Sequence, residues 1–326
     1  SPFYKNMLVK FKKCVKIKQG EFMNLKDYFQ KAIEEGFALG AINFSNMESL
    51  QGIVEASMKA RSPMIISVSE SALKYMGSYC YALAKSAKQI YPHLFLHLDH
   101  GKSFEVCKEA VDNGFESVMI DGSALKYEDN ISITKKVCDY AHKKGVFVEG
   151  ELGQIKGIED NTSASEHIYT DPALAKDFVM KTKVDSLAIA IGTSHGAYKY
   201  SGKQTLRFDI LEEIERALPN FPLVLHGAST VEQSEVQLFN QYGGKLEKAN
   251  GIPRELIEKA VTKHNIVKIN TDTDIRIALT SQVRKVLNEN KSEFDPRKYL
   301  GAGREEIKKV VLDKIYNLFF SNDKIF

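Results

Sequence analysis

The chain has 326 residues, of which 43% are hydrophobic and 27% are charged, and its formal net charge is only +3. This composition is typical of an enzyme with a large core, and it excludes a disordered chain or one that coats nucleic acid through bulk charge. No run approaches the roughly eighteen consecutive apolar residues of a membrane span, so we expect no membrane as a partner. Because the net charge is low, we also expect no nucleic acid as a partner.

The cysteines are few and irregularly spaced, which favours neither a disulfide framework nor a cysteine zinc site. The simplest interpretation is a protein of the reducing cytoplasm. The four cysteines are Cys14, Cys80, Cys107 and Cys138.

The first 22 residues differ from the rest, because they contain six lysines and one glutamate. Their hydrophobic part is too short for the core of a secretory signal. We treat residues 1–22 as a basic N-terminal extension of unknown role, and we predict one catalytic domain over 23–326 with a helical tail at its C-terminal end.

From there the chain repeats one pattern, a short apolar run followed by a longer stretch with helical spacing and charged positions. The predicted strands are 40–44, 64–69, 94–99, 117–122, 147–153, 186–192, 223–228 and 266–272. The predicted helices include 47–60, 104–113, 130–144, 172–182, 207–218 and 254–263. Alternation of strands and helices means an α/β fold with parallel strands, and a count of eight favours a closed TIM (β/α)8 barrel over an open doubly wound sheet.

Polar and ionisable residues collect at the carboxyl ends of these runs. In a (β/α)8 barrel those ends surround one mouth, where the chemistry is located. The pattern therefore predicts an active site, with Asn43 and Ser69 as candidate substrate contacts. The residues at these ends are Asn43, Ser69, Asp99, Asp121, Glu151, His195, His226 and Asn270.

Three histidines lie where a catalytic zinc site requires them. His100 follows the third run, His195 closes the sixth, and His226 ends the seventh. A catalytic zinc usually has three protein ligands and one open position, and it favours imidazole nitrogen. A single histidine of this kind is more often a core residue satisfied by a hydrogen bond. Three at strand ends favour a metal, and His97, on the strand face of Asp99, is predicted to orient a ligand.

Carboxylates beside these histidines indicate acid/base chemistry. Asp99 precedes His100, so one strand end presents a proton-transfer group next to a metal ligand; the alternative is an aspartate that caps the next helix. Glu149 and Glu151 alternate onto one strand face, from which Glu151 can approach the metal. Glu159 lies beyond, on a loop that contains glycine, and would act as a base after loop closure.

Small and hydroxyl residues follow the last two strands, where barrels usually bind phosphate. Ser229 and Thr273 fit that role, and Arg276 offers a bidentate charge for a second phosphate, unless it forms only a surface ion pair. The other candidates for these contacts are Gly196, Lys199, Gly227 and Asp272. A metal, an acid/base pair and phosphate positions together predict a phosphorylated carbonyl substrate.

Seven motifs in order resemble the class II fructose-bisphosphate aldolases and their relatives, the tagatose-bisphosphate aldolases. The resemblance extends from about residue 23 to about residue 318. The motifs are GAINF at 40–44, LHLDHG at 96–101, VEGELG at 148–153, IGTSHGAYK at 191–199, LHGAS at 225–229, KINTDTD at 268–274 and FDPRKYLG at 294–301.

The resemblance implies reversible cleavage of fructose 1,6-bisphosphate to dihydroxyacetone phosphate and glyceraldehyde 3-phosphate through a zinc-stabilised enediolate. Asp99 matches the residue that exchanges a proton with the C4 hydroxyl, Glu159 the loop base, and Asn270 a residue that orients the enediolate. His100, His195 and His226 match the zinc ligands. The implied phosphate contacts are Gly196, Gly227, Ser229 and Thr273.

The family also commonly binds a monovalent cation, Na⁺ or K⁺, near the phosphate and forms homodimers or homotetramers. Asp272 and Arg276 resemble the fructose-type pattern, whereas tagatose-type relatives usually carry alanine and lysine there; a tagatose-1,6-bisphosphate aldolase is the alternative. Lys156 stands where the family usually has glycine, and the extension before Met23 has no counterpart.

Other classes of protein fit the sequence less well. A barrel metallohydrolase usually has a His-x-His pair on its first strand, and 40–44 has none. A Schiff-base aldolase needs a lysine inside the barrel, for which Lys268 is the candidate. A noncatalytic binding protein would be expected to lose a ligand histidine or Asp99, and all of these are present.

Overall fold

The computed structural model describes residues 23–159, 162–164, 168–195, 205–247 and 249–326, and it describes only the backbone of 156–159, 162–164 and 195. The predicted extension 1–22 lies outside the described residues. No helix in the described part of the chain is both long enough and apolar enough to span a bilayer.

The first half of the chain alternates strands with helices, as the sequence pattern predicts. The elements are α1 (Leu25–Glu35), β1 (Leu39–Asn43), α2 (Met47–Ala60), β2 (Met64–Ser69), α3 (Glu70–Met76), α4 (Tyr79–Ile90), β3 (Leu94–Gly101), α5 (Phe104–Asp112), β4 (Ser117–Ile120), α6 (Tyr127–Ala141) and β5 (Phe147–Leu152).

The second half continues this alternation and adds short strands and a helical tail. Its elements are β6 (Lys156–Glu159), β7 (Thr162–Ala164), α7 (Pro172–Thr182), β8 (Ser186–Ile189), β9 (Ser194–His195), α8 (Phe208–Ala217), β10 (Leu223–Leu225), α9 (Gln233–Gln241), α10 (Arg254–Lys263), β11 (Ile266–Thr271), α11 (Thr273–Glu289) and α12 (Pro296–Lys314), followed by a π-helical turn (Ile315–Phe319).

Eight parallel strands close into a barrel in the order β1-β11-β10-β8-β5-β4-β3-β2. Helices cover the outside and side chains fill the inside, so the strands are buried on both faces and read as continuous apolar runs. The structure is a single-domain TIM barrel, which confirms the predicted fold class.

Local signals in the sequence determine where the helices begin. Asn46 and Ser49 form a capping box at the start of α2, and Asp171 caps α7 with Pro172 in its first turn. The side chain of Ser103 accepts from the Val106 amide and caps α5. Because Ser103 caps the helix after β3, the alternative role of Asp99 as that cap is wrong.

The amino-terminal end of the barrel is closed by an apolar cluster. Tyr28 and Phe29 of α1 are buried against inward-facing residues of the strands, among them Phe95. Gly40 of β1 faces the Phe319 ring so closely that a Cβ atom would overlap it. This end is therefore packed with apolar side chains, which leaves the carboxyl end for a polar site.

A small second sheet lies beside the barrel strands, and the sequence pattern did not predict it. Strand β6 pairs antiparallel with β7 and parallel with β9, where Gly157 is the register partner of His195. The sixth barrel strand, β8, ends at Ile189, so the expectation that His195 closes that strand is wrong. The chain leaves the barrel before His195 and pairs with β6 instead.

Candidate active site

A bulge near the end of β3 brings two neighbouring side chains into the same site. Asp99 and His100 would point to opposite faces of a regular strand. The register with β4 shifts between Leu98 and Gly101, and His100 has a φ of 49°. The bulge breaks the alternation, so both side chains lie close to His226.

His100 is held from one side of its ring. Its Nδ1 lies 3.0 Å from Oδ2 of Asp121 and 3.7 Å from Oε2 of Glu151. Burial would raise the pKa of Asp121, but the hydrogen bond from His100 and the Lys102 ammonium hold that pKa well below its usual range. The carboxylate therefore accepts a hydrogen bond from the Nδ1–H group, and in the neutral ring Nε2 of His100 carries the lone pair.

His226 directly follows β10, and it faces the site with Nδ1, whereas His100 faces the site with Nε2. Its Nε2 lies 2.7 Å from Oε1 of Glu149, and its Nδ1 lies 2.9 Å from Nε2 of His100. Burial is the largest cause that lowers the pKa of His226, and the neighbouring His100 is the second, so the ring is neutral near pH 7. Because a carboxylate only accepts, Nε2 of His226 carries the proton and Nδ1 offers a lone pair to the site.

The two imidazoles thus aim two lone-pair nitrogens at one point, an arrangement that a cation between or beside them satisfies. Donor atoms of Asp99, His100 and His226 all lie within 4.8 Å of one another, and so do those of His100, Asp121 and Glu151. Imidazole nitrogen with carboxylate oxygen is a donor set that suits zinc and similar divalent ions. Both groups share His100, which makes it the centre of the candidate metal site.

Asp99 is fixed by two amides. Asn43 Nδ2 donates to one carboxylate oxygen at 2.8 Å and Asn270 Nδ2 donates to the other at 2.9 Å. Both amide oxygens are buried and have no hydrogen-bond partner among the described residues. Since buried acceptors are normally satisfied, these two oxygens are suited to accept hydrogen bonds from a bound ligand.

One carboxylate ties the loop after β10 to the first turn of α11. Asp274 accepts from the backbone amides of Thr230 at 3.1 Å and Val231 at 2.7 Å. Its Oδ2 also lies 2.6 Å from Nζ of Lys314, which in turn donates to the Thr230 hydroxyl at 3.0 Å. Asp274 and Lys314 are buried. The tie holds the segment that begins at Gly227, whose φ of 60° suits glycine.

Arg276 and Asp272 form a bidentate pair at the first turn of α11. Arg276 Nε donates to Oδ1 of Asp272 at 2.9 Å, and its second nitrogen lies 2.5 Å from Oδ2. The Arg276 side chain is 57% exposed. The pair therefore lies at the surface, at the rim of the mouth.

The model for the class II fructose-bisphosphate aldolase family matches residues 23–324. The chain belongs to this family. It is 46% identical over 314 residues to the fructose-bisphosphate aldolase of Treponema pallidum (strain Nichols), covering 90% of this chain and 94% of that protein. It is also 46% identical over 297 residues to the Helicobacter pylori (strain ATCC 700392 / 26695) protein of the same name, covering 90% and 96%.

Solved structures agree with this assignment. The crystal structure of the YdjI aldolase from Escherichia coli K12 covers 94% of this chain and 100% of its own, with 29% identity and a TM-score of 0.74. Class II aldolases are generally metal-dependent, and the family implies a sugar bisphosphate substrate. Both properties suit the converging imidazoles and the rim arginine of this chain.

The structure brings most of the predicted site residues to one end of the barrel and leaves others undescribed. Gly196 and Lys199 lie outside the described residues. The side chains of His195 and Glu159 are not described, although their backbones belong to the paired strands β9 and β6. Ser69 caps α3 by accepting from the Ala72 amide at 3.3 Å. The other predicted site residues lie at the carboxyl ends of barrel strands or in the segments that directly follow them: Asn43, Asp99, His100, Glu151, His226, Gly227, Ser229, Asn270, Asp272, Thr273 and Arg276.

Sequence reasoning missed the residues that lie one layer deeper in the barrel. Glu149 contacts His226 directly, yet it had no role of its own in the prediction. Lys268 was considered only as a Schiff-base lysine; it is 1% exposed and its Nζ lies 2.7 Å from Glu149 Oε2. An ion-paired, buried amine is not open to a substrate carbonyl. The two-residue spacing of these side chains from Glu151 and Asn270 was the available signal.

Proposed function

We propose that this chain cleaves fructose 1,6-bisphosphate reversibly to dihydroxyacetone phosphate and glyceraldehyde 3-phosphate, with Zn²⁺ as its metal. The observation that carries the proposal is the pair of imidazole lone pairs, on His100 and His226, that meet beside the Asp99 carboxylate. When bound, the ion polarises the substrate ketone and stabilises the negative charge that develops on its oxygen.

We assign the metal to His100, His195 and His226, with Glu151 able to approach it. His100 and His226 already face each other, and Glu151 lies on the Nδ1 side of His100. For His195 the assignment is supported by the family motif and by the pairing of its strand with β6.

Asp99 is the proposed base for the C4 hydroxyl. In cleavage it removes that proton, the C3–C4 bond breaks, a carbonyl forms at C4, and the electron pair remains on the C3 side. Glu159 then delivers a proton to C3, and each proton moves in reverse during condensation. Amide hydrogen bonds from Asn43 and Asn270 hold the Asp99 carboxylate in position, which supports this role.

The two phosphates are proposed to bind at the rim. One is bound by Gly196, Gly227, Ser229 and Thr273, where the Asp274 tie holds the loop backbone. We assign the second to Arg276, and we assign Lys199 to a further contact with the substrate. A fork-shaped guanidinium suits a phosphate because it donates two parallel hydrogen bonds.

Asp272 is proposed to favour the fructose epimer over tagatose. Its carboxylate can accept from a substrate hydroxyl while it orients Arg276, so one carbon configuration is selected through a hydrogen bond. Asn43 and Ser69 complete the substrate contacts, and Asn270 orients the reacting carbons through its amide.

Three further properties belong to the same proposal. We propose a monovalent cation, Na⁺ or K⁺, beside the rim phosphate, assembly as a homodimer or homotetramer, and action in glycolysis or gluconeogenesis in the cytoplasm. The buried free thiols of Cys80, Cys107 and Cys138 are consistent with a reducing compartment.

The test is a coupled assay of fructose 1,6-bisphosphate cleavage with and without a chelator. We expect the chelator to abolish activity, added zinc to restore it, and borohydride to leave it unchanged, because no Schiff base forms. Cleavage of tagatose 1,6-bisphosphate alone would change the assigned epimer. Failure with both sugars would refute the proposed function.

A further inference from the structure

We propose that Glu149 and Lys268 position the His226 imidazole as a metal ligand, through a buried chain of hydrogen bonds that continues to His97 and Ser117. This inference rests on the proposed function, since it concerns His226 as a ligand. It assigns a role to residues that contact neither the substrate nor the metal.

The chain of contacts crosses the barrel interior. Ser117 Oγ lies 2.8 Å from His97 Nδ1, and Nε2 of the same ring lies 3.2 Å from Lys268 Nζ. Lys268 Nζ lies 2.7 Å from Glu149 Oε2, and the other carboxylate oxygen lies 2.7 Å from His226 Nε2. The five residues lie on or directly after five different barrel strands, and each is at most 2% exposed.

Glu149 determines which nitrogen of His226 faces the site. Because the carboxylate accepts a hydrogen bond from the Nε2–H group, Nδ1 keeps its lone pair, and it lies 2.9 Å from His100 Nε2. Asn270 Nδ2 lies 3.2 Å from the same Nδ1 and is a donor, which agrees with this tautomer. A hydrogen bond to the second ring nitrogen of a ligand histidine fixes both its tautomer and its orientation.

Lys268 allows that carboxylate to be buried. A charged carboxylate at 1% exposure is costly unless a positive group compensates it, and Lys268 is the lysine in contact with Glu149. Nζ of Lys268 also donates to His97 Nε2, whose Nδ1 faces the Ser117 hydroxyl. His97, predicted to orient a ligand, thus acts through Lys268 and Glu149.

Breaking the chain should therefore weaken metal binding. Two variants of nearly unchanged volume remove one charge each: Glu149→Gln and Lys268→Met. The matched control is Lys314→Met, which breaks a second buried lysine–carboxylate pair, with Asp274, whose contacts include the backbone of Thr230 and Val231.

The experiment measures the dissociation constant of Zn²⁺ alone by equilibrium competition with a chelator, on metal-stripped full-length protein. We expect both variants to raise it by about 10- to 100-fold, while Lys314→Met stays within about 2-fold of the unsubstituted protein. In addition, the visible spectrum of the Co²⁺-loaded protein should change in the two variants only.

A double variant keeps the test valid if one charge alone prevents folding. Glu149→Gln with Lys268→Met removes both charges together, which buried pairs tolerate better than loss of one partner. We expect the double variant to bind zinc at least as tightly as the single variant that binds it less tightly, because the two residues act as a unit.

Two results would overturn the inference. One is an unchanged zinc affinity in Glu149→Gln, Lys268→Met and the double variant; the other is an equal loss in Lys314→Met, which would mean a general effect of disrupting a buried pair. If the unsubstituted protein binds no zinc and cleaves neither sugar, the proposed function fails and this inference fails with it.

Discussion

The barrel interior and the rim loops are each stabilised by a buried lysine–carboxylate pair. Inside the barrel, Glu149 and Lys268 share their remaining hydrogen bonds with imidazole rings. At the rim, Asp274 shares its own with the backbone amides of a loop, and Lys314 reaches it from α12.

The difference lies in what each pair holds in place. Strands already fix the backbone of the interior residues, so only side-chain orientation remains to be set there. The loop after β10 has no hydrogen bonds of a β-sheet to fix it, so the Asp274 carboxylate must hold its backbone. We therefore expect substitutions in the interior to change chemistry or metal affinity, and substitutions at the rim to change stability or substrate binding.

The largest effect is expected for Asp99→Asn. The amide cannot take the C4 proton, so kcat should fall by about 10²- to 10⁴-fold. Metal content should stay the same, because His100 and His226 retain their carboxylate partners. Steady-state kinetics and metal analysis of the same sample check this. The same change at exposed Asp129 of α6 is the control, and a kcat for Asp99→Asn equal to that control would remove Asp99 from its role.

Lys314→Met is expected to lower the free energy of unfolding by about 3–5 kcal/mol, because Asp274 would remain buried without its cation. Urea denaturation of the metal-free protein measures the loss. The matched control is Lys309→Met on the same helix, whose side chain is 69% exposed and paired with Glu306, where we expect about 0–1 kcal/mol. Equal losses in the two variants would mean that the buried Asp274–Lys314 pair contributes no more to stability than an exposed ion pair does.

Arg276→Lys tests the exposed side of the rim. Lysine keeps the charge but loses the planar fork, so KM for the bisphosphate should rise by about 10-fold or less, with kcat and metal content unchanged. Initial-rate kinetics across substrate concentrations give the two constants separately. A lower kcat at constant KM would instead place Arg276 in the chemistry.

The fold was predictable because eight apolar runs alternate with helical periods, and this periodicity alone requires parallel strands. Strand ends were less certain: 186–192 was predicted as one strand, whereas β8 ends at Ile189 and His195 lies in a separate strand. The contacts that end a strand come from distant segments, here β6, and no local signal in 186–195 reveals them.

The site was predictable at the level of residue type and strand end, but not of partner. Glu149 and Lys268 lie 119 residues apart, so only the closed barrel brings them together. Likewise, regular alternation places Asp99 and His100 on opposite faces. The bulge that brings their side chains together has a backbone φ of 49° at His100, and the residue types in this segment do not predict it.

The smallest effect separates a capping role from a chemical one at the end of β3. Ser103 caps α5, so Ser103→Ala should cost about 1 kcal/mol of stability and leave kcat unchanged. Asp99→Asn should show the reverse, a small stability change with a large loss of kcat. Thermal unfolding and kinetics measured on both variants check this pair. If Asp99→Asn lost stability in proportion to its activity, Asp99 would be a structural residue, and the division between a chemical interior and a structural rim would fail at its central position.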